Sequence, residues 1–192
     1  WPIQSSRNHL LPKFGMVDQL ALQRSTLEGV IDTPDLGAVR VYSVHLGHAA
    51  AAERLAQICT LNQILRETPS QGGVVTGRKA SKHWTADGPL VDMPQGAIFL
   101  GDFNLTPSDP EYELLVGSED PKYGRISRLD GLIDVWHAVN NEPNGGLTCG
   151  SDNGMVRIDY AFMTADLVDQ VARMWVDESA QGSDHQPIFV EF

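Results

Sequence analysis

The feature that most restricts how this chain can fold is a strand followed almost at once by a long helix with one buried face. Val39-Arg40-Val41-Tyr42-Ser43-Val44-His45-Leu46 is rich in β-branched and aromatic residues and reads as a strand ending near Gly47, with His45 at its end. From Ala49 to Glu67 the apolar residues Leu55, Ile58, Leu61 and Leu65 recur every three or four positions, which is the pattern of a helix that buries one stripe. Pro69 is expected to close it.

After this unit the sequence from Ser70 to Gly96 has several glycines and prolines and no sustained periodicity, so a long loop or insertion is expected there. Ala97-Ile98-Phe99-Leu100 is a short apolar strand that stops at Gly101-Asp102-Phe103-Asn104, placing polar side chains where a buried strand emerges. Ser108-Asp109-Pro110-Glu111 combines a Ser N-cap, a Pro in the first turn and a Glu three residues on, which marks a helix start, with Gly117 as its stop. Leu132 to Asn140 fits either a helix or a strand. Val156 to Met163 reads as a strand and Pro187 to Phe192 as the terminal strand.

A chain of 192 residues with 42% hydrophobic and 20% charged content suits one domain with a substantial core, over residues 1–192. No apolar run approaches the roughly 20 residues needed to cross a bilayer. The start, Trp1-Pro2-Ile3-Gln4, has no methionine, basic leader or apolar leader, so either a leader has been removed or the sequence begins internally. The compartment stays unknown, with the cytoplasm as default and secretion left open. Cys59 and Cys149 lie far apart with no Cys-x-x-Cys pairing, which argues against a zinc site or a disulfide scaffold.

Acidic residues number 25 against 14 basic ones, a net charge of −11. That field repels polyanions and lowers the expectation of duplex DNA as substrate, although carboxylates gathered to hold a cation would inflate the same count.

Four short motifs put acids, amides and imidazoles at strand ends: His45-Leu46, Gly101-Asp102-Phe103-Asn104, Arg157-Ile158-Asp159-Tyr160 and Ser183-Asp184-His185-Gln186-Pro187. Singly, each is explained by turns or by a satisfied core histidine. Together they supply carboxylates as metal ligands or a base, histidines to bind or protonate a phosphoryl oxygen, and an amide to orient it. Oxygen-rich ligation with no cysteine cluster favours a hard cation, magnesium or manganese.

In this order the four motifs resemble the endonuclease/exonuclease/phosphatase superfamily, whose fold is deoxyribonuclease I-like. Supporting likenesses are Arg24, Arg54 and Gln57, Asp134-Val135-Trp136, and Thr148. The resemblance implies an α/β (α+β) fold, a four-layer α-β-β-α sandwich of two mixed sheets. It also implies that this chain corresponds to the C-terminal two-thirds or so of the family domain, without the first strands and helix and without the Glu that is the principal metal ligand.

By the same resemblance, Asp102 orients or deprotonates the attacking water and Asn104 holds the phosphoryl group. His45 contacts the scissile phosphate and assists the leaving group. Asp159 orients His185, which stabilises the pentavalent transition state or acts as base, and Asp184 is a carboxylate near the metal. Arg157, Tyr160 and Thr148 are expected to be structural.

The implied activity is metal-dependent hydrolysis of phosphate esters, phosphodiesterase-like, by a monomer. The substrate is left open among small molecules, lipid headgroups and nucleic acid. His137, where abasic-site nucleases carry Arg, weakens a repair-nuclease reading, and Met155-Val156-Arg157-Ile158-Asp159 lacks the longer segment of inositol polyphosphate phosphatases. The alternatives are a nuclease on DNA or RNA, or a truncated or degenerate member that only binds. Arg78, Lys79, Lys82, His83 and Trp84 form a basic-aromatic cluster in the insertion, which is expected to be a solvated loop.

Overall fold

The computed structural model describes residues 1–15, 18, 20–74, 76 and 92–192. Along the chain come β1 (Ile3–Leu10), β2 (Ser25–Thr33), β3 (Gly37–His45), α1 (Ala51–Gln71), β4 (Ala97–Asp102), α2 (Pro110–Val116), β5 (Ser118–Asp120) and β6 (Gly124–Ile126). They are followed by β7 (Ile133–Asp134), α3 (Val135–Asn140), β8 (Cys149–Ser151), β9 (Gly154–Val156), β10 (Asp159–Met163), α4 (Ala165–Val168), β11 (Arg173–Val176) and β12 (Ile188–Glu191).

A six-stranded mixed sheet in the order β1-β2-β3-β4-β10-β7 organises the molecule. Its first three strands run antiparallel, β3 and β4 are parallel, and β10 pairs antiparallel with both β4 and β7. The parallel step is the one that α1 crosses, as a parallel pair requires.

The two faces of this sheet carry separate cores, and the strict period of two decides which residue joins which. Along β4, Ala97 and Phe99 face a cluster with Ile58, Leu61 and Leu65 of α1 and Tyr112, Leu115 and Val116 of α2. Ile98 and Leu100 face the opposite cluster with Val135 and Trp136 of α3, Met174 and Val176 of β11, and Ile188 and Val190 of β12. β10 repeats the rule, with Tyr160 and Phe162 on the first side and Ala161 and Met163 on the second. The fold is thus mixed α/β, with a helix layer, the large sheet and a β11–β12 pair on the far face. Among the described residues, that pair is all of the second sheet the expected four layers call for.

Several expectations need correcting. Pro69 does not end α1 but lies inside its last turn, and the helix continues to Gln71. A proline at 69 leaves the carbonyl of Leu65 without its helical donor. Arg40 Nη1 donates to that carbonyl at 3.3 Å, so the helix can continue past the proline. Leu55 is not on the buried stripe but 45% exposed, because Arg54 takes that place, paired with Glu111 at 3.1 Å.

The second helix begins at Pro110 with Asp109, not Ser108, as N-cap, and Glu111 closes no capping box because Arg54 holds it. Leu132 to Asn140 divides into β7 and α3, and the strand expected from Val156 to Met163 breaks at Arg157 and Ile158. The basic-aromatic cluster from Arg78 to Trp84 lies outside the described residues.

Candidate active site

Strand register builds the site. His45 is the last residue of β3 and stands opposite Asp102, the last residue of β4, in the parallel ladder. Asp159, the first residue of β10, stands opposite the same Asp102 in the antiparallel ladder. Three neighbouring strands therefore end in His45, Asp102 and Asp159 at one edge of the sheet.

Gly101 permits this close pairing. Its φ is +135°, and a Cβ there would lie 2.0 Å from the Val44 carbonyl oxygen, so no other residue fits. Asn104, three residues on, adopts φ 51°, a left-handed conformation that Asn tolerates better than most.

That turn folds Asn104 back onto Asp102. The Asn104 backbone N–H donates to Asp102 Oδ1 at 2.8 Å, and Asn104 Nδ2 donates to Asp102 Oδ2 at 3.0 Å and to the Leu46 carbonyl at 3.1 Å. His45 Nε2 lies 3.4 Å from Asp102 Oδ2. Both amide hydrogens of Asn104 are thus engaged, which fits a group that positions Asp102 better than one that donates to a phosphoryl oxygen.

His185 reaches the row from the C-terminal segment. Cys149 forms an isolated bridge with it, the Gln186 N–H donates to the Thr148 carbonyl at 2.7 Å, and its own N–H donates to Ser183 Oγ at 3.1 Å. Its Nδ1 lies 2.8 Å from Asp159 Oδ2. Thr148 Oγ1 accepts from the N–H groups of Ile158 and Asp159, both at 3.3 Å, fixing the start of β10. Arg157 is buried against Asp134 at 2.8 Å, and the Tyr160 hydroxyl donates to the carbonyls of Leu105 and Arg157.

Electrostatics separate the three titrating groups. Burial, reinforced by the neighbouring Asp159, raises the Asp102 carboxyl above its usual range against the lowering hydrogen bond from the Asn104 N–H. Burial and then the Arg24 guanidinium depress the His45 imidazole. Burial also acts to depress His185, but the hydrogen bond and charge of Asp159, with Asp102 and Asp184 behind them, outweigh it and raise the imidazole. His45 is thereby biased towards its neutral form and His185 towards the cation.

A cavity of about 350 Å³ opens beside the row, lined by Gly101, Asp159, Gln181, Ser183, His185 and Gln186 among others. Gln181 was not singled out in the sequence, and Gln186 stood in the Ser183–Pro187 motif without a role, because a polar residue beside the motif's acid and imidazole carries no mark of facing a cavity. Asp184 is exposed, and its charge is felt by His185 and Cys149.

Among the described residues no group of three or more His, Cys, Asp and Glu side chains is placed to hold a metal ion. Both oxygens of Asp102 already accept hydrogen bonds and one oxygen of Asp159 is taken by His185, so these carboxylates do not by themselves complete a shell for a hard divalent cation.

A family model for the endonuclease/exonuclease/phosphatase family matches residues 1–185. The chain belongs to that family. Solved structures with the same fold include an endonuclease/exonuclease/phosphatase from Beutenbergia cavernae, 22% identical over 97% of this chain and 43% of that one, with a TM-score of 0.58. A mannosyl-6-phosphatase from Bacteroides thetaiotaomicron is 18% identical over 99% of this chain and 66% of its own, with a TM-score of 0.59. A 3′ phosphatase from Neisseria bound to a product DNA hairpin is 16% identical over 100% of this chain and 71% of its own, with a TM-score of 0.56. No curated protein matches. The chain spans less than two thirds of the length of the first two of these relatives.

Proposed function

We propose that this protein hydrolyses phosphate esters, in the manner of a phosphodiesterase, at the row His45–Asp102–Asp159–His185. The observation that carries this reading is the ladder register, which sets Asp102, a carboxylate with raised proton affinity, between the neutral-leaning His45 and Asp159, to which His185, biased towards the cation, is hydrogen-bonded at 2.8 Å. Hydrolysis needs these complementary tendencies side by side: a base for the attacking water and a cationic donor for the phosphoryl oxygens.

In this scheme Asp102, held by Asn104, accepts the proton of the attacking water. His185, oriented by Asp159, donates to a phosphoryl oxygen as negative charge builds on it. His45 hydrogen-bonds the ester from the opposite side, towards the leaving group. A magnesium or manganese ion belongs to the proposal through ligand chemistry alone: Asp184 would be one oxygen ligand, the described carboxylates supply too few others, and when bound the ion would neutralise phosphoryl charge.

The test is hydrolysis of bis-p-nitrophenyl phosphate with and without magnesium or manganese. Turnover should require the ion and vanish in chelator, and Asp102→Ala and His185→Ala should each remove most of it. Turnover undiminished in chelator would remove the metal from the scheme, and full turnover in both variants would remove the row.

A further inference from the structure

Beyond the row, on the His45 side, stands a cation that the proposed reaction does not use. Among the described residues Arg7, Arg54, Arg125, Arg128, Arg157 and Arg173 each lie within ion-pair distance of a carboxylate. Arg24 has no such partner among them; nor do Arg40, which is buried and bonded to carbonyls and the Tyr42 hydroxyl, and Arg66, which is exposed far along α1, although the chain holds 25 acidic residues against 14 basic ones. Among the described residues the Arg24 Nη2 meets the Nδ1 of His48, at 3.5 Å. A guanidinium that avoids carboxylates in so acidic a chain, and is half-buried, is placed to receive an anion from outside.

Its position is fixed. Arg24 immediately precedes β2, whose first ladder pair with β3 sets Thr26 opposite Val44, so Arg24 enters the sheet where His45 leaves it. Its carbonyl accepts from the Leu11 N–H at 2.9 Å and from Gln23 Nε2 at 2.8 Å. The loop that carries His48 is held from below. Gln57 Oε1 accepts from the Gly47 N–H at 2.8 Å, and Arg54 Nη1 donates to the carbonyls of Gly47 and His48 at 3.4 and 3.3 Å. When His48 Nδ1 accepts from Arg24, its remaining ring proton sits on Nε2 at an exposed surface. Arg24 leads into the strand that neighbours His45's own, one strand spacing (~4.8 Å) away along the backbone, and its charge reaches the His45 imidazole.

We propose that Arg24 and His48 form a second anion shelf, so that the preferred substrates are phosphoesters bearing a further phosphate on the leaving-group side. This rests on the phosphoesterase reading of the row and adds the substrate class to it. The scissile phosphate sits over Asp102 and His185, the bond to the leaving group points past His45, and the second phosphate takes the fork of Arg24 and the imidazole N–H of His48. Burial and then the Arg24 charge depress His45, and that charge would be neutralised when the shelf fills.

Equilibrium binding in metal-free buffer tests the shelf independently of turnover, with inorganic phosphate and inorganic pyrophosphate as probes in calorimetric titrations. The expected result is at least tenfold tighter binding of pyrophosphate than of phosphate. Arg24→Met should weaken pyrophosphate at least tenfold more than it weakens phosphate, His48→Asn should do so to a lesser degree, and Arg24→Lys should restore part of the preference, since it keeps the charge but loses the fork. No preference for pyrophosphate, or equal weakening of both probes by Arg24→Met, overturns the shelf. Absence of any bis-p-nitrophenyl phosphate hydrolysis overturns the phosphoesterase reading instead, and that assay contains no second phosphate.

Discussion

Glu28 and Asp102 are carboxylates on strands of the same sheet, each with a histidine nitrogen beside it, and their environments drive them in opposite directions. Glu28 receives Arg7 Nε at 2.8 Å, His9 Nε2 at 2.9 Å and the Tyr42 hydroxyl at 3.0 Å, with its side chain 2% exposed. Burial alone would raise its carboxyl, but the bonds from His9, Arg7 and Tyr42 outweigh that and lower it. Among the described residues Asp102 receives the neutral amide groups of Asn104 and a more distant His45, with Asp159 opposite, and burial prevails. What separates a carboxylate of lowered proton affinity from one of raised proton affinity here is whether a fixed cation reaches it, more than how deeply it lies.

The largest expected effect breaks the comparison on the Asp102 side. Asp102→Ala should cut bis-p-nitrophenyl phosphate turnover by ~10²–10⁴-fold, the range for a lost general acid or base, while the melting temperature stays near that of the parent. A large loss of stability with turnover retained would make Asp102 another Glu28.

Next in size is Glu28→Gln, which strips the charge from a buried cluster and leaves Arg7 without its counter-ion. Breaking such a pair costs ~3–5 kcal/mol, read by urea unfolding. A loss well below that would show that the cluster is solvated in solution.

The pH dependence of stability is a finer instrument. Because the folded Glu28 carboxyl lies below its ordinary value of 4.5, its contribution is complete above that value and fades as pH falls through the lower folded value. The parent should therefore lose stability faster than Glu28→Gln as pH drops below about 4.5. Parallel curves would mean that Glu28 titrates alike in both states.

The smallest effect belongs to a third kind of carboxylate. Asp130 meets Arg128 through two bonds of 2.8 Å, yet both side chains are open to solvent. Arg128→Ala should leave the melting temperature unchanged within error, since water screens the pair. A clear drop would show that good geometry can substitute for burial.

Part of the candidate site was legible because an apolar run that stops at Gly101-Asp102 marks where a buried strand emerges, with little help from the rest of the chain; Asp159 was less so, since the sequence reads as strand from Val156 and only the break at Arg157 and Ile158 makes Asp159 the first residue of β10. The alternation that sorts Ala97 through Leu100 onto two faces was equally local. What the sequence hid depends on partners distant in the chain. Leu55 fits the helical stripe as well as Ile58 does, and only Glu111, on another helix, shows why Arg54 is buried in its place. Glu28 looked like one more acid until β1 and β3 brought it Arg7, His9 and Tyr42. Arg24 and His48 become a pair only when β2 and β3 are laid side by side.

The proline within α1 has a consequence for the order in which the molecule assembles. The carbonyl of Leu65 is capped by a guanidinium 25 residues earlier in the chain, so the final turn of this helix is stabilised by a contact across the β3–α1 connection rather than by the helix itself. An isolated peptide spanning residues 51–71 should fray at that end, and the turn should become protected from amide exchange only when the helix docks on the sheet. Helix completion and sheet docking are in this way a single cooperative event, with Arg40 as the latch between them.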